Sequence, residues 1–120
     1  MSESELQREI MKAVTEAGGR VFRNNTGLGW VGRTGVKHET DGTVTVMIHG
    51  ARPLHAGLCV GSSDLIGYYR GRFLSIEVKV GRHVITDAQE NFLEQVRAAG
   101  GIAVCARSVD EVLDALRRVT

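Results

Sequence analysis

Gly61-Ser62-Ser63-Asp64-Leu65-Ile66-Gly67, Tyr68-Tyr69-Arg70-Gly71-Arg72 and Phe73-Leu74-Ser75-Ile76-Glu77-Val78-Lys79 follow one another without a break in this chain of 120 residues. Asp64 opens an apolar run that stops at Gly67, and a second strand-like run covers Phe73 to Val80. Between them Tyr69-Arg70-Gly71-Arg72 can reverse the chain, Gly71 supplying a positive φ where the turn needs one. Side chains alternate between the faces of a strand, so Glu77 and Lys79 share one face and Val78 takes the other. The hairpin then brings Asp64 beside Glu77 and Lys79. Two carboxylates and an ammonium at one sheet edge make a site for a hard cation, with a charged helper built in.

A Glu-x-Lys pair on an amphipathic strand is usually just a solvated face. Here Ile76, Val78 and Val80 form one apolar face, and Phe73 and Leu74 add bulk at the start, so the strand reads as central. Charge in a central strand needs a partner or a metal, because uncompensated burial is costly. Asp64, followed about a dozen residues later by Glu77-Val78-Lys79, resembles the PD-(D/E)XK nuclease signature. The wider set of Gly61 to Gly67, Glu77-x-Lys79 and Gln89 is similar to the VRR-NUC branch of that superfamily, over Glu3 to about Val109. Ser63 stands where the superfamily's Pro-Asp pair has its proline.

The resemblance implies an α/β fold of three layers, a mixed central β-sheet flanked by helices, with a β-hairpin insertion at about 28–57. It implies a Mg²⁺ or Mn²⁺ ion held by Asp64, Glu77 and the backbone carbonyl of Val78, with Lys79 orienting the water or neutralising the phosphate. Gln89 is placed near the active site. An acidic residue of the first helix, followed by a glutamine, also reaches the metal in this family; Glu3-x-x-Leu6-Gln7 is the best match, with Glu5 and Glu9 as the other candidates. The implied activity is a metal-dependent DNA endonuclease acting as a homodimer on branched or structured DNA, such as four-way junctions. The competing reading is a non-catalytic DNA-binding or interaction module that kept the fold. Intact Asp64, Glu77 and Lys79 argue against it, and the short chain leaves little room for a sequence-reading restriction domain.

Composition sets the bounds. A chain of 120 residues is one domain on size alone, and 42% hydrophobic content lets it bury a core. A net charge of +1 excludes a polycationic binder but not a nuclease, whose attraction for DNA is local. No stretch has the eighteen or so apolar residues of a membrane span. The start, Met-Ser-Glu-Ser-Glu, lacks the apolar segment of a secretory signal, so the expectation is a cytoplasmic protein with no membrane partner. Cys59 and Cys105 match no zinc spacing and read as reduced thiols. No GxxxxGK[ST] motif is present, so no nucleotide cofactor is expected.

The remaining elements follow from periodicity and punctuation. Ser2 or Ser4 starts a helix carrying Leu6, Ile10, Ala13, Val14 and Ala17, and Gly18-Gly19 ends it. Gly19 to Asn25 reads as a short strand entering a polar loop, where Arg20, Arg23, Asn24 and Asn25 are candidates for phosphate contacts. Residues 27–58 are the least regular region. Asp41-Gly42 before the alternating Thr43 to Ile48 signals an exposed hairpin, basic and Trp30-bearing, suited to a DNA-binding or dimer arm. His38, His49 and His55 have no ligand spacing and are read as surface residues. Thr86 caps a helix with Gln89 at the capping-box position, and Gly100-Gly101 ends it. Ile102 to Cys105 then forms a buried strand reached by a crossover, hence parallel to the preceding one, and Ser108 caps a last helix with Glu111 three residues on.

Overall fold

The computed structural model describes residues 1–119. In chain order the elements are α1 (Glu3–Glu16), β1 (Arg20–Arg23), β2 (Gly27–His38), β3 (Val44–Ala56), β4 (Leu65–Tyr69), β5 (Arg72–Val78), α2 (Asp87–Ala98), β6 (Ile102–Ala106) and α3 (Val109–Arg117). β1, β4, β5 and β6 form a mixed sheet in the order β1-β4-β5-β6. β1, β4 and β5 pair antiparallel, while β6 joins β5 in parallel through the α2 crossover. No helix among the described residues is long and apolar enough to cross a membrane.

Each helix starts on a cap that satisfies N–H groups the helix cannot. Ser2 and Glu5 form a reciprocal capping box on α1, and Thr86 and Gln89 do the same on α2. On α3, Ser108 accepts from the Glu111 N–H, but the Glu111 carboxylate turns outward to accept from the Arg107 N–H at 2.8 Å. Leu6, Ile10 and Val14 of α1 and Val112, Ala115 and Leu116 of α3 meet Val21, Leu65, Tyr69, Leu74, Ile76 and Val78 in one core. This fills one side of the sheet. Its opposite side carries Phe73, Ser75 and Glu77, and there α2 covers only the β5–β6 half, with Leu93 buried beneath it.

Several strand limits differ from the sequence reading. β4 does not stop at Gly67 but runs to Tyr69, because Gly67 is where β1 comes closest. A Cβ there would stand 1.8 Å from the Arg20 carbonyl oxygen. The turn after β4 has two residues, with Arg70 at φ 48° and Gly71 at φ 76°, the pair of positive φ values that a twisted hairpin requires. β5 ends at Val78 rather than Val80. Phe73, expected to add buried bulk, lies 43% exposed on the side that α2 leaves open.

The 27–58 region is far from irregular. β2 and β3 build a two-stranded ribbon that contacts little beyond itself. It accounts for the long axis of a molecule measuring 54 × 29 × 28 Å. Its glycines, read as interruptions, are in-strand residues, and a register shift lies between Val31 and Arg33. Pairing puts Trp30, Val36, Val46 and Pro53 on one face and Arg33, Lys37, His49 and Arg52 on the other. His38, His49 and His55 are exposed along it.

Candidate metal centre

Asp64 is the last residue before β4, and its position is fixed at both ends. Its carbonyl accepts from the Asn24 N–H at 2.8 Å, continuing the β1 pairing, and its Oδ2 accepts from the Val78 N–H at 2.9 Å. The loop leading to it is equally held. The Ser62 hydroxyl donates to the Cys59 carbonyl at 2.8 Å, and the Ser63 and Ser75 hydroxyls meet at 2.6 Å in a fully buried pair. Gly61, at φ 83°, lets this loop lie on the first turn of α2, where a Cβ would stand 2.5 Å from the Ala88 carbonyl oxygen. Both serines are thus structural.

Glu77 is only 2% exposed, next to the end of β5. Its Oε1 accepts from Gln89 Nε2 at 3.1 Å and lies 3.7 Å from Lys79 Nζ. Its Oε2 is buried and has no hydrogen-bond partner. Burial first, then the Asp64 carboxylate beside it, pushes the Glu77 carboxyl up to about 8; Lys79 pulls the other way and Glu3 adds a little to the rise. Two carboxyls forced together in a dry site need a shared proton or a cation.

Gln89 holds the capping box and the carboxylate at once. Its Oε1 accepts from the Thr86 N–H at 2.9 Å while its Nε2 donates to Glu77. The capping role and the site role, alternatives in the sequence, are two ends of one amide. Lys79 is anchored by its own N–H to the Ala106 carbonyl at 3.0 Å, and its side chain stays mostly covered. Of the three first-helix acids, Glu5 is consumed by the cap and Glu9 is exposed. Glu3 is half-buried, its charge reaches Glu77, and its Oε2 lies 3.9 Å from His83 Nδ1.

Among the described residues no group of three His, Cys, Asp or Glu side chains is placed to hold a metal ion. The donors present are two carboxylates and a backbone. In a strand, the N–H and C=O of one residue point to the same side. The Val78 N–H faces Asp64, so its carbonyl faces that side too. Oxygen donors of this kind suit Mg²⁺ or Mn²⁺, and the partnerless Glu77 Oε2 is the atom a cation would satisfy. The residues fit the ion.

No family model matches this chain, and no curated protein matches it significantly.

Sequence reasoning missed four residues around the centre. Asn24, a candidate phosphate contact, is committed to the fold. Its Nδ2 donates to Ser62 Oγ at 2.8 Å and to the Ser63 carbonyl at 2.9 Å, and its Oδ1 accepts from the Leu58 N–H at 3.2 Å. Cys105 lies opposite Glu77 in the β5–β6 register, its thiol pushed up by burial and then by Glu77. Arg107 donates to the carbonyls of Gly81 and His83, pinning the loop between β5 and α2. His83, on that loop, faces Glu3. Only the parallel register could have revealed Cys105, and no local pattern marks the other three.

Proposed function

We propose that this chain is a Mg²⁺- or Mn²⁺-dependent endonuclease that hydrolyses phosphodiester bonds in DNA, in the manner of the PD-(D/E)XK superfamily and its VRR-NUC branch. The observation that carries the reading is the buried, partnerless Oε2 of Glu77, held against Asp64 with Lys79 Nζ 3.7 Å from the other oxygen. A structural ion pair has no use for an unsatisfied buried oxygen, which costs about 1–3 kcal/mol or more when charged.

Asp64, Glu77 and the Val78 carbonyl would hold the ion, which when bound acidifies a coordinated water and neutralises phosphate charge. Asp64 comes to this task already oriented by the Val78 N–H, and Glu77 by Gln89. Lys79, its Nζ 3.7 Å from Glu77 Oε1, would act on the attacking water and the phosphate oxygens beside the ion. Branched or structured DNA is the substrate class we favour. The projecting ribbon carries a basic face that suits contacts to DNA backbones.

Cleavage of labelled four-way junction, flap, single-stranded and linear duplex DNA tests this, with Mg²⁺, Mn²⁺ or EDTA, for wild type and Lys79→Ala. Metal-dependent cutting that disappears in the variant is the expected result. Tight binding without cutting under every metal condition would replace the nuclease by a binding module that kept the fold.

A further inference from the structure

The side of the sheet that carries Glu77 is only half covered. Register places Arg20 opposite Tyr68 and Phe22 opposite Ile66. It also places Tyr68 opposite Phe73 and Ile66 opposite Ser75. Residues directly opposite one another share a face, so Arg20, Phe22, Ile66, Tyr68 and Phe73 lie together on the face of Glu77. Phe22 is 49% exposed, Tyr68 53% and Phe73 43%. Three exposed aromatic side chains on adjoining strands are a large apolar area to leave in water, and nothing in the fold requires them there.

We propose that this strip is a stacking surface for unpaired nucleobases, which makes a single-stranded segment the part of the substrate that the chain grips. The proposal deepens the nuclease reading and rests on it for its place in the reaction, though the binding itself needs no cleavage. Ring faces accept any base, and cationic side chains among them hold the phosphates between bases. The strip carries such a cation on its own face: the Arg20 guanidinium lies 5.3 Å from the centre of the Phe22 ring. None of the facing residues on β1, β4 or the start of β5 is a carboxylate.

Position ties the strip to the metal centre. Phe73 and Glu77 are four residues apart on one strand and on one side, about 13 Å at the rise of a strand. Ser63 roofs the interval by its bond to Ser75 at 2.6 Å. Strip and centre are therefore two openings on one sheet face, and a strand laid across the aromatics leads its backbone past the roof to Asp64 and Glu77. A base-paired duplex has its ring faces occupied by stacking and cannot use the strip.

The test is fluorescence anisotropy in EDTA with three dye-labelled probes: a single strand, an abasic strand of equal length, and a blunt duplex. The single strand should bind at least roughly tenfold more tightly than the abasic strand, since each stacked base contributes about five- to a hundredfold. Tyr68→Ala and Phe73→Ala should each remove roughly a tenfold share of that preference and leave abasic binding unchanged. Tyr68→Leu, which keeps apolar area without a ring, should behave like Tyr68→Ala, and Tyr68→Trp should retain binding. Equal affinity for single and abasic strands, or full binding by the alanine variants, overturns the proposal. So does a wild-type dimer in sedimentation that Tyr68→Ala dissociates, because the strip would then be covered by a second copy. Base-dependent binding by a protein that cuts nothing leaves the strip standing and removes only the nuclease reading.

Discussion

Replacing Glu77 by glutamine keeps the side chain's shape, its acceptor for Gln89 and its place beside Asp64, while it removes the ability to ionise and exchanges one oxygen for an amide NH2. In the metal-free protein this should stabilise. The folded-state carboxyl is pushed from 4.5 up to about 8. Its contribution is therefore fully present below pH 4.5 and is lost as pH rises through 8, since the unfolded chain releases the proton long before the folded one does. Between pH 5 and pH 8 that linkage removes roughly 3 kcal/mol of stability, a large share of the 5–15 kcal/mol typical of a domain. Glu77→Gln escapes this loss. Urea denaturation in EDTA should show wild type falling behind the variant by roughly 3 kcal/mol over that range, and thermal melts should separate by about 10 °C. Saturating Mg²⁺ or Mn²⁺ closes the gap, restoring ~3 kcal/mol to wild type at a hundred times its dissociation constant and nothing to the variant. Parallel pH profiles for the two proteins, or equal stabilisation of both by metal, would refute a cation site built on Glu77.

Asp64→Ala or Glu77→Ala should abolish metal-dependent cleavage, by a hundredfold or more, with unchanged circular dichroism; full activity in either places the chemistry elsewhere. Gln89→Ala removes a cap and a buried partner together and should cost about 2 kcal/mol in denaturant unfolding, whereas a loss under about 0.5 kcal/mol would show that neither bond matters. Gly67→Ala drives a Cβ against the Arg20 carbonyl and should leave the protein unfolded or more than about 3 kcal/mol weaker; near-native stability would contradict the β1–β4 register. Asn24→Ala should cost about 2 kcal/mol and weaken metal affinity more than Ser62→Ala does, measured by titration calorimetry. Unchanged metal affinity would mean that Asn24 serves the ribbon alone.

What was legible in the sequence is what local chemistry decides. Ser2 with Glu5, Thr86 with Gln89 and Gly100 after α2 fix helix ends by short-range hydrogen bonds, so their spacing is enough. The pairing of Asp64 with Glu77 followed because a two-residue turn sets the register of its hairpin. The rest depends on who lies opposite whom across long separations. The extension of β4 beyond Gly67 is decided by β1, more than forty residues earlier, and the length of β2 by a partner strand that keeps its glycines extended. The open aromatic strip could not be read either, because it exists only where α2 fails to cover the sheet. Phe73 looks like a core residue until the helix is placed.

Asn24 has a mechanical meaning that its hydrogen bonds alone do not convey. A ribbon about 40 Å long, at the rise of a strand, stands on a root only two strands wide. Any force at its tip arrives at that root multiplied, as at the short end of a crowbar. At the fulcrum one amide spans the outgoing chain, the returning Leu58 and the Ser62-Ser63 loop, and its own backbone N–H holds the Asp64 carbonyl. The ribbon cannot swing without tugging on the loop that carries Asp64, so a load on the far end of this molecule is felt at the carboxylate pair.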